Sequence, residues 1–439
     1  MATVTVDQAK LVLNSFAAIF QNNLVSKDLV TWKKFDGEMN DRNGLTVVEQ
    51  VTPDYSTVWT SGTSGNGVAN LSGGVQDTVF GSEQYKLNQT INTSMGWGDF
   101  QKIRDIGDAR ESQALRKAAL RLATDVDSYI LAFVATQSNN WLGDGNSAVA
   151  EWDDVASGYT RLKEEGVEDS DLRAVLTYGD KQALGSEIIA DNASLSGLGE
   201  GTYRNAFTGE VAGIPTLFTQ QLPAFTVGTR NQTAALTDGT AQSATTYESV
   251  AISPAPGQYM TQILSLGSLG NAATIREGEV FTIAGVYAWD NRAKKQLDHL
   301  QEFRVVGGTN SNGINAGTYT ADSSGDADIR IFPAIITSGP FQTVAQAPTN
   351  TAAVTFKSAA NAVLHPRVIA SKDAVVVNTA DLILPATGKG SRVSLTKVPL
   401  SVRMWQDSIF ATGEHRIRFD VALQANVVDR RRLVRINGS

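Results

Sequence analysis

The spacing of apolar positions predicts a helix over Asp7–Asn22, with Leu11, Phe16, Ile19 and Phe20 on one face and Asp7 as its cap. The next stretch, TWKKFDGEMNDRNG (residues 31–44), reads as polar and turn-rich. A lone helix before such a segment cannot bury its own face, so it is expected to dock elsewhere, as an arm. Between residues 45 and 95 the pattern becomes strand-like. LTVVEQV and QYKLNQTINTSM flank a Gly/Ser tip that carries Gly62, Gly65, Gly67, Gly73 and Gly74. An extended hairpin of this kind has too little apolar surface to stand alone and must lie against a neighbouring domain or subunit.

The strongest helical pattern covers Asp108–Thr136. Leu115, Ala118, Ala119, Leu122, Val126, Ile130 and Phe133 share a face, and Asp108 and Glu111 sit in the first turn, where the helix dipole favours carboxylates. Such a helix spans about 40 Å, the length of a structural spine. A second helix is predicted over Val149–Glu165. A strand follows over Arg173–Thr177, then a capped turn at Gly179–Asp180 and a further helix; residues 202–225 return to strand and loop.

From about Thr226 to Ala360 helical spacing vanishes, and short β-runs alternate with Gly, Asn, Ser and Pro turns, as in an all-β sandwich or small barrel. At its centre lies IREGEVFTIAGVYAWDNRAKKQLDHLQEFRVVGG (residues 275–308), two strong strands around a polar, Lys-bearing loop. Beyond Ala360 β-α character resumes and ends in the strands VSLTKVPLSVRMWQD and HRIRFDVALQANVV. The β-rich stretch therefore reads as a domain inserted into a discontinuous α/β domain.

Composition narrows the chemistry. At 439 residues the chain exceeds what one hydrophobic core supports, and the absence of cysteine excludes disulfides, thiolate metal sites and cysteine nucleophiles. The N-terminus shows no secretory signal and no run is long and apolar enough for a spanning helix, so cytoplasmic synthesis is the default expectation. A net charge of -8 argues against binding DNA by counterion displacement. The β-rich stretch is nearly balanced, with 8 basic and 10 acidic residues. One local exception is the tail with Arg416, Arg418, Arg430, Arg431, Arg432 and Arg435, whose interleaving with strand formers and with Asp420 and Asp429 favours structural ion pairs or subunit contacts.

No catalytic, cofactor-binding or metal-binding residue emerges. His299, His365 and His415 lie far apart in sequence and no HExxH pair exists. Ser64 lacks the second glycine of a nucleophile elbow because Asn66 stands there, and Lys389 lacks a phosphate-loop glycine because Ile383 stands in its place. Gly197–Gly201 does not match a dinucleotide fingerprint, and Glu164–Asp171 reads as a solvated helix end. Trp32, Trp59, Trp97, Trp141, Trp152, Trp289 and Trp405 are scattered, which suits packing better than ligand stacking.

The order of elements resembles the major capsid proteins of tailed double-stranded DNA phages, the HK97-like (Hong Kong 97) α+β fold. It is most similar to the short-tailed-phage coat proteins that carry an inserted β-barrel. Three patches carry the likeness: FTGEVAGIPTLFTQQLPAFTVGT (residues 207–229), which resembles the lead-in to the insertion; GEVFTIAGV (residues 278–286) in the insertion hairpin; and LHPRVIASKDAVVVNTADLILP (residues 364–385) at the re-entry.

The resemblance implies an N-terminal arm over 1–44, an E-loop hairpin over 45–98 and a peripheral domain with the spine helix over 99–150. It further implies a first axial part over 151–225, the inserted barrel over 226–360, and a C-terminal axial/peripheral part over 361–439. The implied function is self-assembly through hexamers and pentamers into an icosahedral head around the genome, without enzymatic activity or cofactor. The barrel would serve folding and assembly through contacts between capsomers. Scaffolding protein, portal, a decoration protein and non-specifically packaged DNA are the implied partners, with no membrane; the location is the virion capsid, assembled in the host cytoplasm. Two other readings are an encapsulin-like nanocompartment shell and a carbohydrate-binding β protein. The second leaves the arm and spine helix without a role.

Overall fold

The computed structural model describes residues 6–39, 45–51, 80–87, 89–97, 113–167, 171–192, 210–231, 235–239, 242–243, 250, 258–307, 317–384, 389–409 and 414–438. Four helices are described: α1 (Val6–Asn22), α2 (Gln113–Gln137), α3 (Trp152–Glu164) and α4 (Tyr178–Asn192). Helix α2 is the expected spine. It buries Leu115, Ala119, Leu122, Val126 and Ile130, with Ala118 and Phe133 packed at the margin of the same core. The first turn expected from Asp108 lies outside the described residues.

Helices α1 and α2 cover a sheet in which Lys389–Ser394, Ser401–Ile409, Glu414–Val427, Val375–Leu382 and Thr31–Met39 are neighbours in that order, with Thr90–Trp97 also paired to Glu414–Val427. Phe16 of α1 is fully buried and stacks on Phe419 of the sheet, ring centroids 3.9 Å apart. Asp127, buried on α2, accepts the backbone N–H groups of Val25 (2.9 Å) and Ser26 (3.0 Å), which fixes the chain leaving α1. The first helix thus docks within its own chain.

One sequence reading is corrected here. Residues 31–39, expected to be turn-rich, form a strand that runs parallel to Val375–Leu382, with Thr31 opposite Val376 and Met39 opposite Leu382. Its polar residues are met by partners: Lys33 Nζ lies 3.0 Å from Glu49 and Lys34 Nζ 2.9 Å from Asp381. Tertiary pairing overrides the weak local pattern. The expected strand over residues 393–407 is likewise two strands, Lys389–Ser394 and Ser401–Ile409, antiparallel to each other.

A second sheet carries Asn140–Leu142, Leu433–Ile436, Arg367–Ser371, Leu172–Leu176, Ile214–Phe218 and Glu210–Val211 in that order. Helix α3 lies against it so closely that a Cβ on Gly158 would stand 2.6 Å from Ile369 Cδ1 and 2.8 Å from Ile436 Cγ2. The capped turn expected at Gly179–Asp180 is a reciprocal box. Thr177 N–H donates to Asp180 Oδ2 (2.8 Å), and Asp180 N–H donates to Thr177 Oγ1 (3.2 Å). Asp180 also takes both arms of the Arg367 guanidinium at 2.9 Å, locking the helix start to the sheet.

The β-rich stretch is a closed barrel. Leu236–Thr237, Gln262–Gly267, Ala327–Phe332, Lys295–Val306, Val280–Asp290 and Val354–Phe356 pair in that order. The ring is completed where Leu236 bridges Ala353, with Val354 N–H donating to Ala235 O (2.9 Å) and Thr237 N–H to Ala352 O (2.9 Å). Closure leaves no free edge among these strands. The run VFTIAGVYAW breaks strict alternation because its pairing register shifts between Thr282 and Tyr287. Gly285 there takes φ +80°, a β-bulge that bends the strand round the barrel. The interior, including Leu264, Phe281, Phe303, Ile329 and Phe356, is separate from the cores of the body. The chain leaves and re-enters the body through a paired neck, Phe225–Thr226 against Val363–Leu364.

Truncating Phe16 to Ala removes a fully buried ring at the α1–sheet contact. It is expected to destabilise the body by about 3–5 kcal/mol, read as a lowered urea midpoint.

Candidate functional site at the junction of barrel, hairpin and spine helix

The last turn of any α-helix leaves backbone carbonyls without helical partners, and cations suit that end. At the C-terminal end of α2 two buried guanidiniums supply both needs. Arg435 donates to Ser138 O (2.9 Å) and Thr136 O (3.3 Å), and Arg304 donates to Thr136 O (3.2 Å). Arg435 belongs to the second sheet, whereas Arg304 belongs to the barrel. Arg435 also reaches Gly278 O of the barrel (2.7 Å) and lies over the Trp141 ring, 5.0 Å from its centroid. Burial, together with the neighbouring guanidinium of Arg430, weakens the hold of Arg304 on its proton.

The barrel answers with a carboxylate. Glu302 accepts the backbone N–H of Trp141 (2.8 Å), and its other oxygen lies 2.9 Å from Lys357 Nζ and 3.5 Å from Arg161 of α3. Its backbone carbonyl accepts from Asn139 Nδ2 at 2.8 Å. Around this polar seam Trp141, Val227, Val280 and Leu364 form a small apolar plug at the neck. A buried pair, Arg230 and Glu279, closes the same end of the barrel. Glu279 also accepts from Gly228 N–H and Arg276 N–H at 2.8 Å each, while Arg230 lies over the Phe356 ring.

The hairpin root, Leu45–Val51 paired with Gly81–Leu87, is held at the same place. Arg430 spans three elements. It lies 3.2 Å from Glu83 of the hairpin and 3.3 Å from Gln137 Oε1 of α2, and it sits over the Phe332 ring of the barrel at 4.5 Å. Burial pushes the Glu83 carboxyl up, and Arg430 is the largest influence opposing it. Val51 packs against the barrel cluster of Tyr259, Met260, Phe332 and Phe341, and Leu87 is buried with Leu382 and Ala422. Val48 and Phe80 stay exposed. The Gly/Ser tip lies outside the described residues.

The arginine tail therefore serves internal contacts. Arg418 pairs with Asp420, Arg431 and Arg432 with Asp429, Arg430 with Glu83, and Arg435 caps a helix. Of the three histidines, His299 Nδ1 lies 3.6 Å from Glu164; burial and nearby Arg161 and Lys357 push its pKa down to about 4, so it is neutral at pH 7. His365 offers its backbone carbonyl to Arg367 and Asn437. Among the described residues no group of His, Cys, Asp and Glu could hold a metal ion, and no helix is long and apolar enough to cross a membrane. Of the tryptophans, Trp141 is buried, Trp32 packs against the main core and Trp152 is exposed. The sequence pass missed Glu302, Arg304 and Glu279, charged residues placed inside strong strand patterns; that placement was the signal available.

What this construction defines is a subunit whose polar chemistry joins its own parts. Over residues 1–431 the chain matches the family described as P22 coat protein, gene protein 5. The chain belongs to that family, the coat proteins that build a phage capsid shell, and it is a structural component of the virion. No curated protein sequence matches it. Solved structures similar to it include the capsid of cyanophage P-SCSP1u, with 10% identity, 94% of this chain and 87% of that chain covered, and a TM-score of 0.44. Others are the capsid of Ralstonia phage GP4 (7%, 95% and 88%, 0.42) and that of a native GTA particle (8%, 95% and 91%, 0.42).

Two predictions arise from the junction. Replacing Arg430 by Leu leaves the Glu83 carboxylate buried without its partner and should cost about 3–5 kcal/mol in a denaturant titration at pH 7. The paired change Arg430→Leu with Glu83→Gln should recover most of that loss. The second concerns Glu165 at the end of α3, whose carboxyl burial pushes up to about 7 against the opposing pull of Arg431 and Arg161. A raised folded pKa means that its contribution to stability is fully present below about pH 4.5 and is lost as pH rises through about 7. Glu165→Gln should flatten that segment of the stability–pH curve relative to the parent protein.

Proposed function

We propose that the chain assembles through pentamers and hexamers into an icosahedral head around a double-stranded DNA genome, in the HK97-like arrangement. Its hairpin then lies across a neighbouring subunit. The observation that carries this reading is the clamped hairpin root. Arg430, Val51 and Leu87 fix its direction from within the chain, while Val48 and Phe80 present apolar surface outward. An element held rigidly at one end and apolar on its free face is built to bind something beyond its own chain. Many weak contacts of this kind add up in a closed symmetric shell.

The -8 charge fits a wall that confines DNA by strength, not by tight binding. The described arginines of the tail are consumed in internal contacts, which leaves packaged DNA as a non-specific partner. Scaffolding protein, portal and a decoration protein complete the proposed set, with assembly in the host cytoplasm.

Deleting residues 61–74, the hairpin tip, tests the reading. The deleted chain should keep the parent's circular dichroism and unfolding midpoint, yet sediment as small species where the parent forms particles. Normal shells from the deleted chain would show that the hairpin has no assembly role.

A further inference from the structure

Between the barrel and the body lies a narrow cleft of about 80 Å³. Its walls come from the end of α2 (Asn139), the barrel (Trp289, Asn291, Phe341) and the turn at Arg430 and Arg431. Three polar atoms on these walls have no hydrogen-bond partner: Asn139 Oδ1, Trp289 Nε1 and Asn291 Oδ1. Asn139 is only 3% exposed, and its Nδ2 is already committed to Glu302 O, which leaves Oδ1 as the free acceptor. A buried acceptor left dry costs about 1–3 kcal/mol, and three such atoms in one cleft would be a heavy penalty. A water molecule occupies about 30 Å³ of liquid and makes two to four hydrogen bonds in such sites. The cleft matches two or three waters in size, and it offers two acceptors and one donor.

We propose that this cleft is a built water site, in which two or three ordered waters bridge Asn139 and Arg430 of the body to Trp289 and Asn291 of the barrel. The seam between barrel and body then has two characters. The plug of Trp141, Val280 and Leu364 is dry, and its packing fits one geometry. The water-filled side can exchange partners and lets the barrel shift by small angles without stranding a polar group.

A map of the assembled shell at a resolution that shows waters gives the direct test. Peaks within hydrogen-bond distance of Asn139 Oδ1, Trp289 Nε1 and Asn291 Oδ1 are expected; an empty cleft, or a side chain from a neighbouring subunit filling it, overturns the proposal. Stability supplies an independent reading. Asn291→Leu displaces the waters and strands the other two atoms, so the folding equilibrium constant in a urea titration should fall several-fold. In a dry cleft the same change removes an unpaired acceptor and fills space, and the constant would rise. Gln at the same position, which keeps the amide, should retain most of the parent's stability if the waters are there.

Discussion

The carbonyl groups that α2 cannot satisfy at its own C-terminal end are the point on which the two halves of the molecule converge. A helix end buried without partners would be costly. Here the cost is offset by Arg435 from the body and Arg304 from the barrel, both fully buried and both aimed at Thr136 O. Neither guanidinium could be buried without acceptors, and those carbonyls would have none without them. The joint is thus specified by mutual need for hydrogen bonds, and apolar packing at the neck is confined to a few residues. Glu302, Arg161 and Lys357 extend the same logic toward α3 and the far strand of the barrel.

This arrangement explains how a chain can carry a sizeable insertion without losing a defined shape. The barrel is closed on itself, so its strands do not compete for pairing with the body sheets. Contact with the body runs through directional polar groups, which fix orientation more sharply than apolar area does. Arg430 then transfers that orientation to the hairpin, because one guanidinium meets Glu83, Gln137 and the face of Phe332 together. In this molecule the aim of the hairpin depends on where the barrel sits.

The helices and the barrel strands were legible because their signals are periodic. Leu115 to Phe133 repeat at helical spacing, and the barrel runs are bounded by Gly and Pro. The capped start of α4 was legible because Thr177 and Asp180 carry their meaning locally. The Thr31–Met39 strand was not. Its residues are polar, and its pairing partner lies far along the chain, so no local window holds the information. The junction was hidden for a related reason. Arg304 and Glu302 look like solvent-facing residues of a strand, and only the approach of α2 makes them interior. The arginine tail showed its internal role in advance through its interleaving with Asp420 and Asp429.

The parallel pairing of Thr31 with Val376 has a consequence in time. Those residues are 345 positions apart (376 − 31), so the N-terminal strand waits for its neighbour while most of the chain is made. At roughly 5–20 residues per second, synthesis alone imposes a delay of about 17–70 s. The barrel's core, by contrast, is drawn entirely from residues 235–356 and can form as soon as that span has emerged. The body is therefore the last part to close, and through that interval α1 carries an uncovered Phe16. A chain that folds in this order leaves its stickiest surface open longest, on the very part that must later take its place in a wall.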